Sequence, residues 1–458
     1  MPPVEISKQS ADVIVIGAGA SGLSAARHLD SAGLSTIVVE ARDWIGGRVF
    51  TVHDPQSALP VELGAEFVHG EPPETLKIIR AADLILDELP DLHHLSRAGL
   101  FSPLHDFWKK ITALCRNISR CKLGKQHDIS LQEYLARHPL SPAKRELLLN
   151  FVQGFEAADP NKISAQSLGE EAQELEFPYK QFRVRSGYDG VLNWLYSGLS
   201  LDRAVVRRST TVTELRWQRG EVQAHIVNAA GSPLPPLKAG AVVTTAHAVL
   251  KARAMRFVPD LPDKHKALGL LEAGQVFKMV LQFRESFWQE SKFIAQHIKG
   301  GVSSTFLNFI HAEHENIPVW WTSLPTRTST LTAWAGGPKA ESLLFDDYQI
   351  RLDRTLTSLA RTFGISRRTV DDILQSCSTH DWRSDSLSRG AYTYVRAGGA
   401  GASKVLATPV QGTLFFAGEA TEDSEMGTVG GALASGKRAA DECIRALRRH
   451  PQRKVRRK

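Results

Sequence analysis

The chain has 458 residues, 42% of them hydrophobic, enough for a sizeable core and for two or three domain-sized units. No apolar run reaches the roughly 18 to 20 uncharged residues of a membrane helix, and the N-terminus lacks a signal-peptide core, so a soluble, cytoplasmic protein with no membrane span is expected. The formal charge of +7 does not indicate a specific nucleic-acid partner, because residues 445–458 hold eight basic and no acidic residues and the remainder carries −1; a solvated tail with at most weak contacts to anionic surfaces is expected.

Near the N-terminus, ADVIVIGAGASGLSAARHLDSAGLSTIVVEARD reads as strand, glycine turn, helix and strand. The first strand is Val13 to Ile16, the helix runs from about Ser21 to Ala32, and TIVVE ends on Glu40. Gly17, Gly19 and Gly22 give GxGxxG at the strand's carboxyl end, with Glu40 following 18 residues after the last glycine. That context turns a weak motif into a dinucleotide-binding signal. Gly17 permits the tight turn, Gly19 lets the backbone approach a pyrophosphate, and Gly22 lets helix and strand pack closely. The helix start offers unpaired N–H groups to the phosphates, and Glu40 can accept from a ribose diol.

EARDWIGGRVFT (Glu40 to Thr51) and VELGAEFVHG (Val61 to Gly70) add glycines and an arginine that suit a longer, bent cofactor. Residues 81–184 read as mostly helical, with Ser141 as an N-cap and Pro142 at the first helical position of one helix. VVRRSTTVTELRWQRGEVQAHIVNAAG (Val205 to Gly231) alternates as strands, with Arg219 and Gly220 at a turn, and AVVTTAHAVLKA returns to the α/β pattern. Residues 266–379 mix strands with a helix near Asp347 to Thr362. In the strand VFKMVLQF, Val276, Lys278, Val280 and Gln282 share one face, and Phe277, Met279, Leu281 and Phe283 the other. Alternation alone favours a surface strand with Lys278 wet. Gly412 to Leu447 supplies a strand, the Gly418-Glu419 corner and a helix from near Val429, whose N-terminus can stabilise negative charge.

The fold class expected is α/β. A Rossmann-like cofactor-binding domain is assembled from 8–80, 185–265 and 380–447, an α+β substrate-binding domain from 81–184 and 266–379, and 448–458 form the basic tail. Cys115, Cys121, Cys377 and Cys443 show neither paired spacing nor a histidine set, which predicts structural thiols and no metal.

VIGAGASGL, EARDWIGGRV, ELGAEFVHG, SGYDGVLNWL, KMVLQFRESFW, RGAYTYV and FFAGEAT with GTVGGALASGKRAA span about Ala11 to Leu447. Together they resemble the FAD-dependent amine oxidase family, which includes monoamine oxidases, polyamine oxidases and lysine-specific histone demethylases. The resemblance implies FAD, with Gly17, Gly19, Ala20, Ser21 and Gly22 around its pyrophosphate and Glu40 on the adenosine ribose. It places Ala41, Arg42, Gly47 and Arg48 along the ribose and phosphates, the Gly64, Ala65 and Glu66 backbone beside the flavin ring, and Val212 at the adenine. Trp382, Gly418 and Glu419 also fall near the cofactor, and the Val429 amide faces the flavin pyrimidine.

The resemblance also moves Lys278 from the surface to the flavin edge. Burial there would lower its pKa by up to roughly 3 to 5 units, leaving an amine that orders a water. Tyr392 would stand against the flavin face, while Thr428 replaces the second facing aromatic of the monoamine oxidases. Ala391 stands where those enzymes have the flavin-linking cysteine, so FAD is expected to be non-covalent. Phe67, His69 and Glu156 match tunnel positions of polyamine oxidases; a structural histidine and a solvated helix-end acid are the plainer readings of the last two.

The implied reaction is oxidation of an amine C–N bond, in a monoamine or polyamine, to an imine that hydrolyses to an aldehyde, with dioxygen reduced to hydrogen peroxide. The alternative is an L-amino-acid oxidase or a desaturase on the same scaffold. An amino-acid oxidase needs a cation for the substrate carboxylate, for which Arg183, Arg185 and Arg389 are candidates. The demethylase branch is not expected, since neither a SWIRM-like appendage nor a tower insertion is present. Monomer and homodimer are both open.

Overall fold

The computed structural model describes residues 8–55, 57–120, 128–174, 179–244, 247–298 and 306–449. Cys121 and tail residues 450–458 lie outside them. The β-branched runs build a five-stranded parallel sheet in the order Ala204–Arg207, Thr36–Val39, Val13–Ile16, Ala241–Thr244, Leu414–Phe416. Such a sheet needs cover on both faces. Helices Ala20–Ser31 and Val429–Arg449 cover one face; the other packs on a four-stranded sheet that includes Thr210–Gln218 and Glu221–Asn228. The two helices meet closely at Gly436, where an added Cβ would lie 2.1 Å from the Ser21 carbonyl oxygen.

A second, seven-stranded sheet has the order Leu374–Thr379, Val276–Phe283, Thr330–Gly336, Val319–Trp321, Phe309–His311, His93–Arg97, Leu100–Pro103. Phe277, Met279, Leu281 and Phe283 point into a core shared with helix Tyr348–Phe363. Asp347 caps that helix by accepting from the Ile350 N–H at 2.9 Å. A helical lobe, Phe107–Arg120, Leu131–Arg137, Pro142–Gly154 and Ala165–Glu174, forms a further core.

Residues 81–184 are less helical than expected, since strands Leu86–Glu88, His93–Arg97 and Leu100–Pro103 precede the helices and Gln181–Val184 follows them. HHLSR has no β-branched residue; pairing with Phe309–His311 makes it a strand, a tertiary effect that outweighs propensity. Cys115, Cys377 and Cys443 are free thiols. Among the described residues no helix is long and apolar enough to cross a membrane.

Candidate active site

A cavity of about 800 Å³ extends from the glycine turn, past both sheets, into the helical lobe. Gly17, Gly19, Ala20 and Ser21 line its start. Gly19 is the N-cap of its helix and makes no side-chain cap bond, so the first N–H groups have no intrahelical acceptor. Gly22 lies behind the cavity wall: a Cβ there would sit 1.9 Å from the Gly17 carbonyl oxygen. Its role is packing, as the spacing predicts, and not cavity contact.

Glu40, Ala41, Arg42, Gly47, Arg48 and Val212 continue the lining. The Glu40 carboxylate is fixed by the Ala18 and Arg42 N–H groups at 2.7 and 2.8 Å. Arg42 donates to Asp385 at 2.7 Å and to Ser388 at 2.8 Å. Arg48 donates to Glu419 at 2.8 Å and to the Ala391 carbonyl. Glu419 also accepts from the Thr393 hydroxyl at 2.9 Å and the Gly427 N–H at 3.2 Å. Burial alone would raise its carboxyl, but Arg48 and His247 hold it far below the usual range.

Gly64, Ala65 and Glu66 bring the second motif to the cavity wall beside Lys278. Lys278 is not on a wet surface. Its Nζ donates to Glu66 Oε2 at 2.7 Å and to the Gly64 carbonyl at 3.1 Å, and the Lys278 and Glu66 side chains are 3% and 9% exposed. Glu66 further accepts from Arg183 at 2.7 and 3.2 Å and from the Trp321 indole at 3.1 Å. Burial would raise the Glu66 carboxyl; Lys278 and Arg183 overcome this and bring it down to about 2. The buried lysine thus has a counter-ion that the sequence reading did not assign. Its partner is the side chain of Glu66, a residue for which only a backbone role was expected.

Tyr392, Ala391, Trp382, Gly418, Thr428 and Val429 also line the cavity. The Tyr392 hydroxyl donates to the Phe155 carbonyl and the Trp382 indole to the Leu63 carbonyl at 3.0 Å, so both rings are held as walls. The Thr428 hydroxyl accepts from the Gly431 N–H at 2.9 Å, capping the helix that starts at Val429.

Phe67, His69 and Glu156 line the part that enters the helical lobe. Phe67 packs edge-on against Trp321 with centroids 5.5 Å apart. His69 Nδ1 lies 3.1 Å from the Gln181 amide, and burial lowers its pKa to about 4, so the ring is neutral near pH 7. Glu156 is enclosed, not solvated at a helix end, and sits close to Glu171. Glu171 escaped the sequence reading because LGEEAQE looks like a solvated helix face.

Residues 20–444 match the sequence model of the family described as flavin containing amine oxidoreductase. The chain belongs to this family. Polyamine oxidase 3 of Oryza sativa subsp. japonica is 28% identical over 95% of this chain and 90% of its own length. Lysine-specific histone demethylase 1 homolog 2 of the same species is 29% identical over 97% of this chain, which spans only 58% of that protein. A solved structure of putrescine oxidase bound to putrescine shares the fold, with a TM-score of 0.78, 21% identity, and coverage of 95% of this chain and 99% of that one.

A flavin amine oxidase must hold an anionic, elongated cofactor. The cavity offers two helix N-termini, at Ala20 and Val429, with Arg42 and Arg48 between them in sequence, and the closeness of Gly17 to Gly22 leaves no room for a side chain at that turn. Helix N-termini, arginines and a side-chain-free turn are the donor set a pyrophosphate requires. The residues present fit a flavin dinucleotide.

Proposed function

We propose that this flavin amine oxidase converts the C–N single bond of a small alkyl amine into an imine, hydrolysed to an aldehyde, with non-covalent FAD and dioxygen as the acceptor. The observation that carries the reading is the buried Lys278 and Glu66 pair at the cavity wall, beside the Gly64 to Glu66 loop. When bound, FAD supplies the two-electron acceptor and passes the electrons to dioxygen. The protein's part is placement and electrostatics. Lys278 spends two N–H donors on Glu66 and Gly64, leaving the third for a water or a reacting nitrogen. Lys278, Arg183 and Glu66 together carry one excess positive charge, which favours negative charge developing beside them. Tyr392 shapes the space over which the amine is held.

The three arginines considered for binding an amino-acid carboxylate are not placed for it. Arg183 is engaged with Glu66 and with the Leu324 carbonyl at 3.0 Å, Arg185 pairs with Asp87, and Arg389 is exposed. None of the three lines the cavity. The names of relatives such as polyamine oxidase 3 and putrescine oxidase favour aliphatic amines. Ala391 at the cavity wall, without a thiol, favours a non-covalent flavin.

The test is anaerobic mixing of the holoenzyme with monoamines, polyamines and amino acids. Amines should bleach the flavin and, in air, release peroxide, while amino acids should do neither; the reverse pattern would overturn the reading. Acid precipitation should leave the flavin in the supernatant.

A further inference from the structure

The seven-stranded sheet places two histidines side by side at the cavity wall. Strand Phe309–His311 runs parallel to His93–Arg97 with Phe309 opposite His93 and His311 opposite Leu95, so His93, Phe309 and His311 share one face while His94 and Ile310 take the other. His93 Nδ1 and His311 Nε2 are 2.9 Å apart, a contact that requires at least one neutral ring, since a protonated imidazole has no acceptor. Behind this pair, His93 Nε2 lies 3.1 Å from Asp91 Oδ1, off the line of a hydrogen bond, and the Asp91 side chain is 56% exposed; a carboxylate in solvent can rotate into line. In front, His311 lines the cavity half-buried, and its Nδ1 has no hydrogen-bond partner among the described residues.

Phe107 and Phe309 stack on His93 with centroids 4.2 and 4.9 Å away, 14° and 18° from parallel, and Phe107 lies 5.0 Å from His311. Flat neighbours this close hinder the rings from turning over. Asp91 acts electrostatically on His93, His94 on His311, and His105 on His94; Glu313 and Lys339 also line the cavity. Burial outweighs Asp91 and keeps both rings neutral near pH 7, the form that can accept a proton on one nitrogen and give one from the other. Packing accounts for the stacked rings but for neither end of the row, an open nitrogen on the cavity and a carboxylate in solvent.

We propose that Asp91, His93 and His311 form a proton path between solvent and the cavity, used once in each direction per turnover. The proposal rests on the amine-oxidase reading and assigns residues to its proton traffic. An alkyl ammonium has a pKa of about 10, so the amine arrives charged, and hydride loss from its α-carbon needs a nitrogen lone pair. One N–H bond breaks, the proton passes through cavity water to His311 Nδ1, the His311 Nε2 proton moves to His93 Nδ1, and the His93 Nε2 proton leaves by Asp91. Ammonium plus dioxygen gives iminium plus hydrogen peroxide with no net proton, so the proton given up before C–N oxidation is taken back when dioxygen becomes peroxide. That return resets both rings to their first tautomers, which clamped rings would otherwise regain by turning over. The amine's own entrance is no substitute, because the amine fills it, whereas the histidines lead out through the wall. Phe309 pairs with Trp321, whose ring is 5.7 Å from Lys278 Nζ, so one strand pair joins the row to the Lys278 end of the cavity.

The test follows anaerobic flavin bleaching by butan-1-amine and by butane-1,4-diamine in the holoenzyme, as wild type, His311→Gln, His93→Gln and the double variant, from about pH 7 to about pH 9.5. Near pH 7 each single variant should bleach at least about tenfold more slowly, below the usual loss for a proton-transfer group because cavity water remains, and the double variant no more slowly than either, because the two rings stand in series. In weak buffer near pH 7, an indicator dye should show proton release slowed together with bleaching. The deficit should narrow towards the alkaline end, where much of the amine arrives neutral, and added imidazole should restore part of the rate to His311→Ala. Histidines that only pack would leave the same deficit at both ends of the pH range. Wild-type rates in both single variants near pH 7, or a deficit undiminished at the alkaline end, overturns the proposal. Should His311→Gln purify without flavin, His93→Gln decides by the same readings. If neither amine bleaches the wild-type flavin, the amine-oxidase reading fails and takes the proposal with it; bleaching in wild type with unchanged variants removes the proposal alone.

Discussion

Lys278 Nζ stands 2.7 Å from the Glu66 carboxylate, joining a strand of the seven-stranded sheet to a loop 212 residues earlier in sequence. Neither partner is redundant: Glu66 is shared with Arg183 and Trp321, while Lys278 alone of the two cations lines the cavity. Lys278→Met should therefore leave Glu66 paired and the flavin bound, and should slow flavin reduction or reoxidation by more than about tenfold, within the range for a lost proton-handling group. Stopped-flow traces of the two half-reactions check this; wild-type rates in both would remove Lys278 from the chemistry.

Glu66→Gln should act on stability more than Lys278→Met does. It leaves Lys278 and Arg183 buried against a neutral amide, and breaking such a buried pair costs on the order of 3 to 5 kcal/mol. The folded-state pKa of about 2 lies below the ordinary 4.5, so the carboxylate's contribution is complete above pH 4.5 and is lost as pH falls towards 2. The difference in Tm between wild type and variant should stay constant from pH 8 to 5 and shrink only in stronger acid. In the double variant with Lys278→Met the loss should be less than additive.

The difference between what the sequence discloses and what it hides is one of range. The glycine turn, Glu40 and the helix start at Val429 are local signals, each readable within one strand, turn and helix, and the structure brings all of them to one cavity. Lys278 is not local. Gln282 on the same strand face is only partly buried, and what buries Lys278 is Glu66 and the Trp321 ring, 5.7 Å from its Nζ. Glu171 was hidden for the opposite reason: among the acids of helix Ala165–Glu174 it is the enclosed one, and no charge pattern in its own helix reveals what packs opposite.

Glu62, three residues before Ala65, offers a pH-dependent counterpart to Glu66. It is buried, accepting from the Tyr188 N–H and the Thr51 hydroxyl, both at 2.7 Å. Burial pushes its pKa up to about 7 against those bonds. With the folded pKa above the unfolded 4.5, the folded state binds more protons between these values, and stability falls as pH rises through that window. Glu62→Gln keeps an acceptor for Tyr188 and removes the titration. Its Tm relative to wild type should therefore be higher at pH 8 than at pH 4.5, by the equivalent of about 3 kcal/mol at most. A difference independent of pH would mean that Glu62 does not titrate in this window.

Gly436 links packing to cofactor retention. It lies mid-way along helix Val429–Arg449, and a Cβ there would meet the Ser21 carbonyl oxygen at 2.1 Å and the Ser24 Cβ at 2.9 Å. The contacts are backbone and a short side chain, so relief requires the helices to separate. Separation moves Ser21, which lines the cavity at the proposed pyrophosphate end. Gly436→Ala should thus lower Tm by the equivalent of about 1 to 3 kcal/mol, as overpacking does, and also raise the fraction of protein purified without flavin. Gly269→Ala is the control: that position has nothing within 4 Å of an added Cβ and no left-handed backbone. A Gly436→Ala protein with wild-type Tm and full flavin content would show that the two helices can part without disturbing the glycine turn.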